Sequence, residues 1–177
     1  MQTANRLVSV CLVALVYGVL AGCATVEVHS KPGTTTTVIL LRHADRDEGP
    51  DLINLNARGH ARAQALVAAV RDMGVTAIYS PNVERNVQTV KPLAQHLGID
   101  ITLTPRFSIA VANSIAQEIL DKHAGGVVVL VGNVSGNLQA FYHLLGGTGS
   151  GPKEYGDLYI MTIPDRGPVK VNKTRFE

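Results

Sequence analysis

The chain has 177 residues, 46% of them hydrophobic and 17% charged, and no tryptophan. That length suits one domain, and the composition excludes a disordered chain, a collagen-like repeat and a polytopic membrane protein. A net charge of +2 makes no case for nucleic-acid binding, which needs a concentrated basic face, and two cysteines cannot support a disulfide framework.

Residues 7–20 form a nearly unbroken apolar run behind a single cation, Arg6. A bilayer span needs about 20 apolar residues, so this shorter run fits the core of a signal peptide. It ends in Leu20-Ala21-Gly22-Cys23, which resembles the lipobox of bacterial lipoprotein signals. The resemblance implies cleavage before Cys23, acylation of its thiol and amine, and a lipid-anchored protein of the bacterial cell envelope. In a double-membraned cell, Ala24 after the lipidated residue implies the outer membrane, facing the periplasm. Cys11 would leave with the leader, so the mature chain would hold neither a free thiol nor a disulfide. Three segments are expected: a leader over 1–22, the lipidated Cys23 with a polar, Thr-rich tether over 23–37, and a globular domain over 38–177.

The tether carries Pro32-Gly33 as a break and leads into a β-branched, almost wholly apolar stretch at 36–41, as expected of a strand buried on both faces. Apolar residues at helical spacing (Ala61, Ala65, Leu66, Ala69, Val70, Met73) predict a helix over 56–73, stopped by Gly74. A short strand over 76–79 ends at Ser80-Pro81. Asn82 is the expected cap of a helix running to Leu97, with Gly98 as its stop and Pro92 predicting a kink or an early end. A weak strand follows at 101–103 and a helix at 114–123. Residues 127–131 read as the clearest buried strand, followed by a helix over 136–145 and a glycine-rich loop. A terminal hairpin is expected from 158–163 and 169–172 around Asp165-Arg166-Gly167.

Repeated strand–helix alternation predicts a three-layer α/β/α domain with a mostly parallel sheet. In such sheets ligands bind beyond the carboxyl ends of the strands. Three polar clusters occupy those positions: Arg42-His43-Ala44-Asp45, the stretch from Ser80 to Arg85, and Gly132-Asn133. An Arg-His pair at a strand end offers a clamp for a dianion beside a nucleophilic imidazole.

The stretch L-L-R-H-A-D-R over 40–46 is similar to the signature of the histidine phosphatase superfamily, the phosphoglycerate-mutase-like proteins. Residues 55–63 resemble that family's L-x-x-x-G-x-x-x-A helix start, and Ile78-Tyr79-Ser80-Pro81 with Arg85, Gln88 and Thr89 resembles its second-arginine segment. The V-V-V-L-V-G run, the Leu145-Gly146-Gly147 turn and the strand beginning at Glu154-Tyr155 also fit, so the likeness extends from Val38 to the C-terminus. It implies that Arg42 and Arg85 bind phosphoryl oxygens and that His43 is the nucleophile, becoming a phosphohistidine. Phosphomonoesters or phosphoprotein are the implied substrates. Forked, permanently charged guanidiniums supply the electrophilic charge, so neither metal nor cofactor is expected.

The chain departs from the pattern at Asn133, where the family carries a second catalytic histidine. An asparagine can donate to a phosphoryl oxygen but brings no charge. Losing one well-placed transition-state donor costs about 10²–10³ in rate, so impaired turnover is expected. His143 lies about 10 Å further along the next helix at about 1.5 Å per residue. His96 and His123 are expected near helix C-termini and His60 on the surface, so none replaces the missing histidine. For the proton donor to the leaving group, Asp45 and Asp47 lead, with Glu48 and Glu84 nearby; a solvated acidic loop is the alternative reading. The glycine-rich 146–151 loop follows a helix and lacks a P-loop ending, so it reads as a helix cap. The expected activity is that of a phosphoric monoester hydrolase; the alternative is a catalytically silent phosphate-binding or interaction lipoprotein.

Overall fold

The computed structural model describes residues 28–49, 53–105 and 109–177. The expected signal peptide, Cys23 and the first part of the tether lie outside these residues. Among the described residues, no helix is long and apolar enough to cross a membrane.

The chain runs β1 (Thr35–Arg42), α1 (Ala57–Val70), β2 (Val75–Pro81), α2 (Glu84–Leu97), β3 (Ile101–Thr104), α3 (Ile109–Lys122), β4 (Val127–Gly132), α4 (Leu138–Leu144), β5 (Asp157–Pro164) and β6 (Lys170–Arg175). One six-stranded sheet has the order β3-β2-β4-β1-β5-β6. The first four strands in that order are mutually parallel, and β5 and β6 join antiparallel as the terminal hairpin. Successive side chains of a strand face opposite sides, so the apolar run of β1 serves two cores. Val38 and Leu40 pack with Ala112, Ile115 and Ile119 of α3 and with Leu138 and Phe141 of α4. Ile39 and Leu41 pack with Leu66 and Val70 of α1 and with Val90 and Leu93 of α2. The helices therefore cover both faces, as the three-layer expectation requires.

Several element ends differ from expectation. Asn82 does not cap α2: its backbone N–H is donated to Thr104 O of β3, 3.0 Å away, and Val83 takes the cap position with no side-chain bond. Pro92 lies inside α2 without ending it, since a missing N–H costs one intrahelical bond while Val90, Leu93 and Ala94 stay buried. Helix α3 starts five residues before Ser114, whose hydroxyl instead donates back to Val111 O at 3.0 Å. Helix α4 starts at Leu138, after a turn, and β6 extends to Arg175. Gly98 does close α2 in the left-handed conformation at φ 67°.

The described part of the expected tether is docked. Ser30 donates its backbone N–H to Pro164 O, its hydroxyl is bonded to those of Thr34 and Thr36, and Val28 packs on the core.

Candidate active site

Parallel pairing brings the carboxyl ends of β1 and β4 side by side, with Arg42 opposite Gly132, and His43 N–H donates to Gly132 O at 3.1 Å. Residues following the two strands thus become neighbours although they are about 90 positions apart. The first turn of α2 arrives at the same edge. Thr89 ties it down: its hydroxyl donates to Arg85 O at 2.7 Å and accepts from Ala44 N–H at 2.8 Å. Arg42, His43, Arg85 and Asn133 converge there.

His43 is 4% exposed. Its Nδ1 lies 2.8 Å from Ala44 O, and because a carbonyl only accepts, Nδ1 carries the proton and Nε2 keeps its lone pair. Burial lowers its pKa from 6.5 to about 4; the bond to Ala44 opposes the shift, while the positive fields of Arg85, Arg42 and Arg46 add to it. At neutral pH the ring is therefore an uncharged imidazole with a free Nε2, the form in which it can attack an electrophile.

The two arginines are held differently. Arg85 donates from Nε (3.2 Å) and Nη2 (2.7 Å) to the single side-chain oxygen of Asn133. Arg42 donates from Nη1 to Lys153 O at 2.9 Å and lies with Cζ 3.8 Å above the Tyr155 ring, and its Nε is buried without a hydrogen-bond partner. The same tyrosine is 5.7 Å from the His43 ring, centroid to centroid. Asn133, 6% exposed, accepts at its backbone oxygen from Gly136 and Leu138, which fixes it at the entry to α4. With Oδ1 on Arg85, its Nδ2 hydrogens are the donors left for a ligand.

Asp45, expected as a proton donor, has both carboxylate oxygens engaged by arginines. Oδ2 is bound by Arg62 Nε at 2.6 Å and Oδ1 by Arg58 Nε at 3.3 Å. Arg62 is itself buried and donates onward to Phe176 O at 2.8 Å. The cause is close packing: Gly59 lets α1 approach the Asp45 carbonyl so tightly that a β-carbon would overlap it. Asp47 accepts from Asn56 Nδ2 at 2.9 Å, and Glu84 accepts from Gln88 Nε2 at 3.1 Å. Among the described residues no group of three or more His, Cys, Asp or Glu is placed to hold a metal ion.

The remaining histidines lie elsewhere. His123 Nε2 is 3.0 Å from the Tyr79 hydroxyl, whose pKa is pushed up to about 12 by burial and by Glu118. His143 is bonded to Gln139 and to Gly147 O, where it helps close the glycine-rich loop. His60 and His96 are exposed. Tyr155 was read in the sequence only as the start of a family-like strand, with no role at the site; it lies over 100 residues from Arg42, in the turn before β5, which begins at Asp157.

Residues 38–108 match the family described as Histidine phosphatase superfamily (branch 1), a span holding Arg42, His43 and Arg85 but not Asn133. Over 73 residues the chain is 40% identical to the 8-oxo-(d)GTP phosphatase of Mycolicibacterium smegmatis; the aligned part is 38% of this chain and 23% of that protein. The chain thus spans under a quarter of that relative. The protein histidine phosphatase SixA, solved with tungstate, superposes with a TM-score of 0.65 at 12% identity, covering 78% of this chain and 96% of that one. A mycobacterial glucosyl-3-phosphoglycerate phosphatase gives 0.56 at 14% identity, with 81% and 100% covered. The sequence likeness to the histidine phosphatase superfamily thus covers residues 38–108, and the fold is shared with these solved phosphatases over about four fifths of the chain.

Proposed function

We propose that the protein is a phosphatase that hydrolyses phosphomonoesters or phosphoprotein through a phosphohistidine at His43. The observation that carries this reading is the buried, uncharged imidazole with a free Nε2 between Arg42 and Arg85. The two guanidiniums would bind the phosphoryl dianion, with Arg42 Nε gaining the acceptor it lacks. Nε2 would attack phosphorus as the bond to the leaving oxygen breaks. The Nδ1–H bond to Ala44 O would stabilise the imidazolium that forms. Water then attacks phosphorus, the P–N bond breaks, and phosphate leaves. Asn133 would donate one amide hydrogen to a phosphoryl oxygen, a weaker contact than a charged imidazolium. With Asp45 held by Arg62 and Arg58, substrates whose leaving oxygen departs without a proton should react best.

The Cys23 motif adds an envelope location to this reading, with the domain held to the membrane by lipid. Acylation should be lost in Cys23→Ser, measured by incorporation of a labelled fatty acid; undiminished incorporation would refute the anchor.

The test of the chemistry is hydrolysis of an aryl phosphate by the full chain beside His43→Ala and Asn133→His. Turnover should vanish in the first and rise by about 10–10² in the second. A specific observation favours a second reading, a silent phosphate-binding module: Arg85 is already occupied by Asn133. Vanadate binding through Arg42 by an inactive parent would decide for it. Neither turnover nor binding would refute both.

A further inference from the structure

We propose that Tyr155 is the positioning residue that sets the Arg42 guanidinium for an anionic ligand, resting on the phosphatase reading only for that ligand's identity. An arginine side chain has several rotatable bonds, and ordering it costs entropy unless packing holds it. Around Arg42 the contacts come from one short turn. Lys153 O accepts from Nη1, and Arg42 Cζ lies over the Tyr155 ring 3.8 Å from its centroid, a cation–π contact. Held this way, Nε is buried with nothing to donate to. The orientation is therefore imposed by Lys153 and Tyr155 and leaves Nε as a buried donor without an acceptor.

The turn is braced in its own right. Lys153 and Glu154 both donate backbone N–H to Asp157 Oδ2, at 2.9 and 2.8 Å. Asp157 Oδ1 accepts from Arg175 Nη1 at 3.0 Å, and Arg175 Nη2 donates to Tyr155 O at 2.9 Å. Asp157 and Arg175 are direct partners in the β5–β6 register, so the antiparallel hairpin supports the turn. Gly156 follows at φ 89°, and a β-carbon there would strike Phe176 O and Arg62 Nη1. The tyrosine is thus fixed from its main chain outward and reaches both Arg42 and, at 5.7 Å, the His43 ring. Its contacts at the site are made by the ring, so removing the hydroxyl should matter little.

The experiment compares the full chain with Tyr155→Phe and Tyr155→Leu in three measurements. Without ligand, the NMR signal of the Arg42 Nε–H should be shifted upfield by the ring in the parent and in Tyr155→Phe, and lose that shift in Tyr155→Leu. Inorganic phosphate should bind about tenfold more weakly to Tyr155→Leu and unchanged to Tyr155→Phe. With an aryl phosphate, the leucine variant should show its loss mainly in KM, whereas a merely structural role would lower the melting temperature and leave KM alone. Equal phosphate affinity in Tyr155→Leu and the parent, or equal impairment of the two variants, would overturn the proposal. If the parent binds no phosphate yet the Arg42 signal moves only in Tyr155→Leu, the phosphatase reading falls and the positioning role stands. Should Tyr155→Leu not fold, Tyr155→Trp takes its place, because the chain has no other tryptophan. Its emission should respond to vanadate and lose that response when Arg42→Met is added. An unchanged emission in a protein that binds vanadate would overturn the proposal.

Discussion

His43 should make the protein lose stability in acid by an amount that can be isolated from every other titration. Its pKa is 6.5 when solvated and about 4 in the fold, so between these values the unfolded chain holds a proton that the folded chain does not. Stability therefore falls as pH falls through that window and levels off once both states are protonated. A depression of about 2.5 units corresponds to about 3 kcal/mol at 1.36 kcal/mol per unit. About 2 kcal/mol of it should be gone by pH 5 and most of the rest by pH 4. The assay is urea unfolding of the parent and of His43→Gln between pH 7.5 and 4, in buffer free of phosphate. Carboxylate titrations are common to both proteins and drop out of the difference, whereas the glutamine removes the buried imidazole. The stability of the parent relative to the variant should decline toward low pH by about 3 kcal/mol in total. A difference that stays flat would show that His43 titrates at its ordinary pKa, and with that the claim that burial holds the imidazole neutral would fail. A phosphate ion should reduce the effect, because it offsets the fields of Arg42 and Arg85.

Gly59→Ala should destabilise the fold by about 2 kcal/mol or more in the same urea assay, since the added methyl meets the Asp45 carbonyl and both partners are backbone-held. A neutral outcome would mean that α1 can shift away from the loop after β1. Arg62→Met should cost about 3 kcal/mol, because it leaves the buried Asp45 with only the largely exposed Arg58. Adding Asp45→Asn should recover part of that loss, and no recovery in the double variant would refute a coupled pair.

Much of this geometry was legible because buried parallel strands write themselves as β-branched runs. The stretches that became β1 and β4 could be read with their polar ends, and those ends carry Arg42, His43 and Asn133. Helix starts were less legible, since the residue types that cap helices have other uses. Asn82 gives its backbone to β3, and Ser114 bonds back within α3, so each misled for a reason outside its own neighbourhood. The partners of Asp45 were equally hidden. Its place two residues after His43 suggests shared chemistry, but the chain turns there and α1 supplies two arginines to its carboxylate. Tyr155 and Arg62 act through partners more than 15 residues away or on other elements, and sequence spacing does not encode such contacts.

The uncharged asparagine at 133 bears on the electrostatics of the site. Burial is the main reason His43 stays neutral, and the positive fields of Arg85, Arg42 and Arg46 add to it. An imidazolium at 133 would add a fourth positive field, strengthening anion binding at a higher desolvation cost in the empty site. Asparagine instead turns its oxygen to Arg85 and leaves its amide hydrogens as a dipole directed away from the cation. A dipole's attraction for a dianion falls more steeply with distance than a charge's, and it cannot follow the charge that shifts from leaving group to phosphoryl oxygens. On the proposed chemistry, ground-state binding through Arg42 and Arg85 should therefore persist while the transition state loses more. Asn133→His should accordingly raise kcat further than it lowers KM, and the reverse split would show that Asn133 serves binding instead.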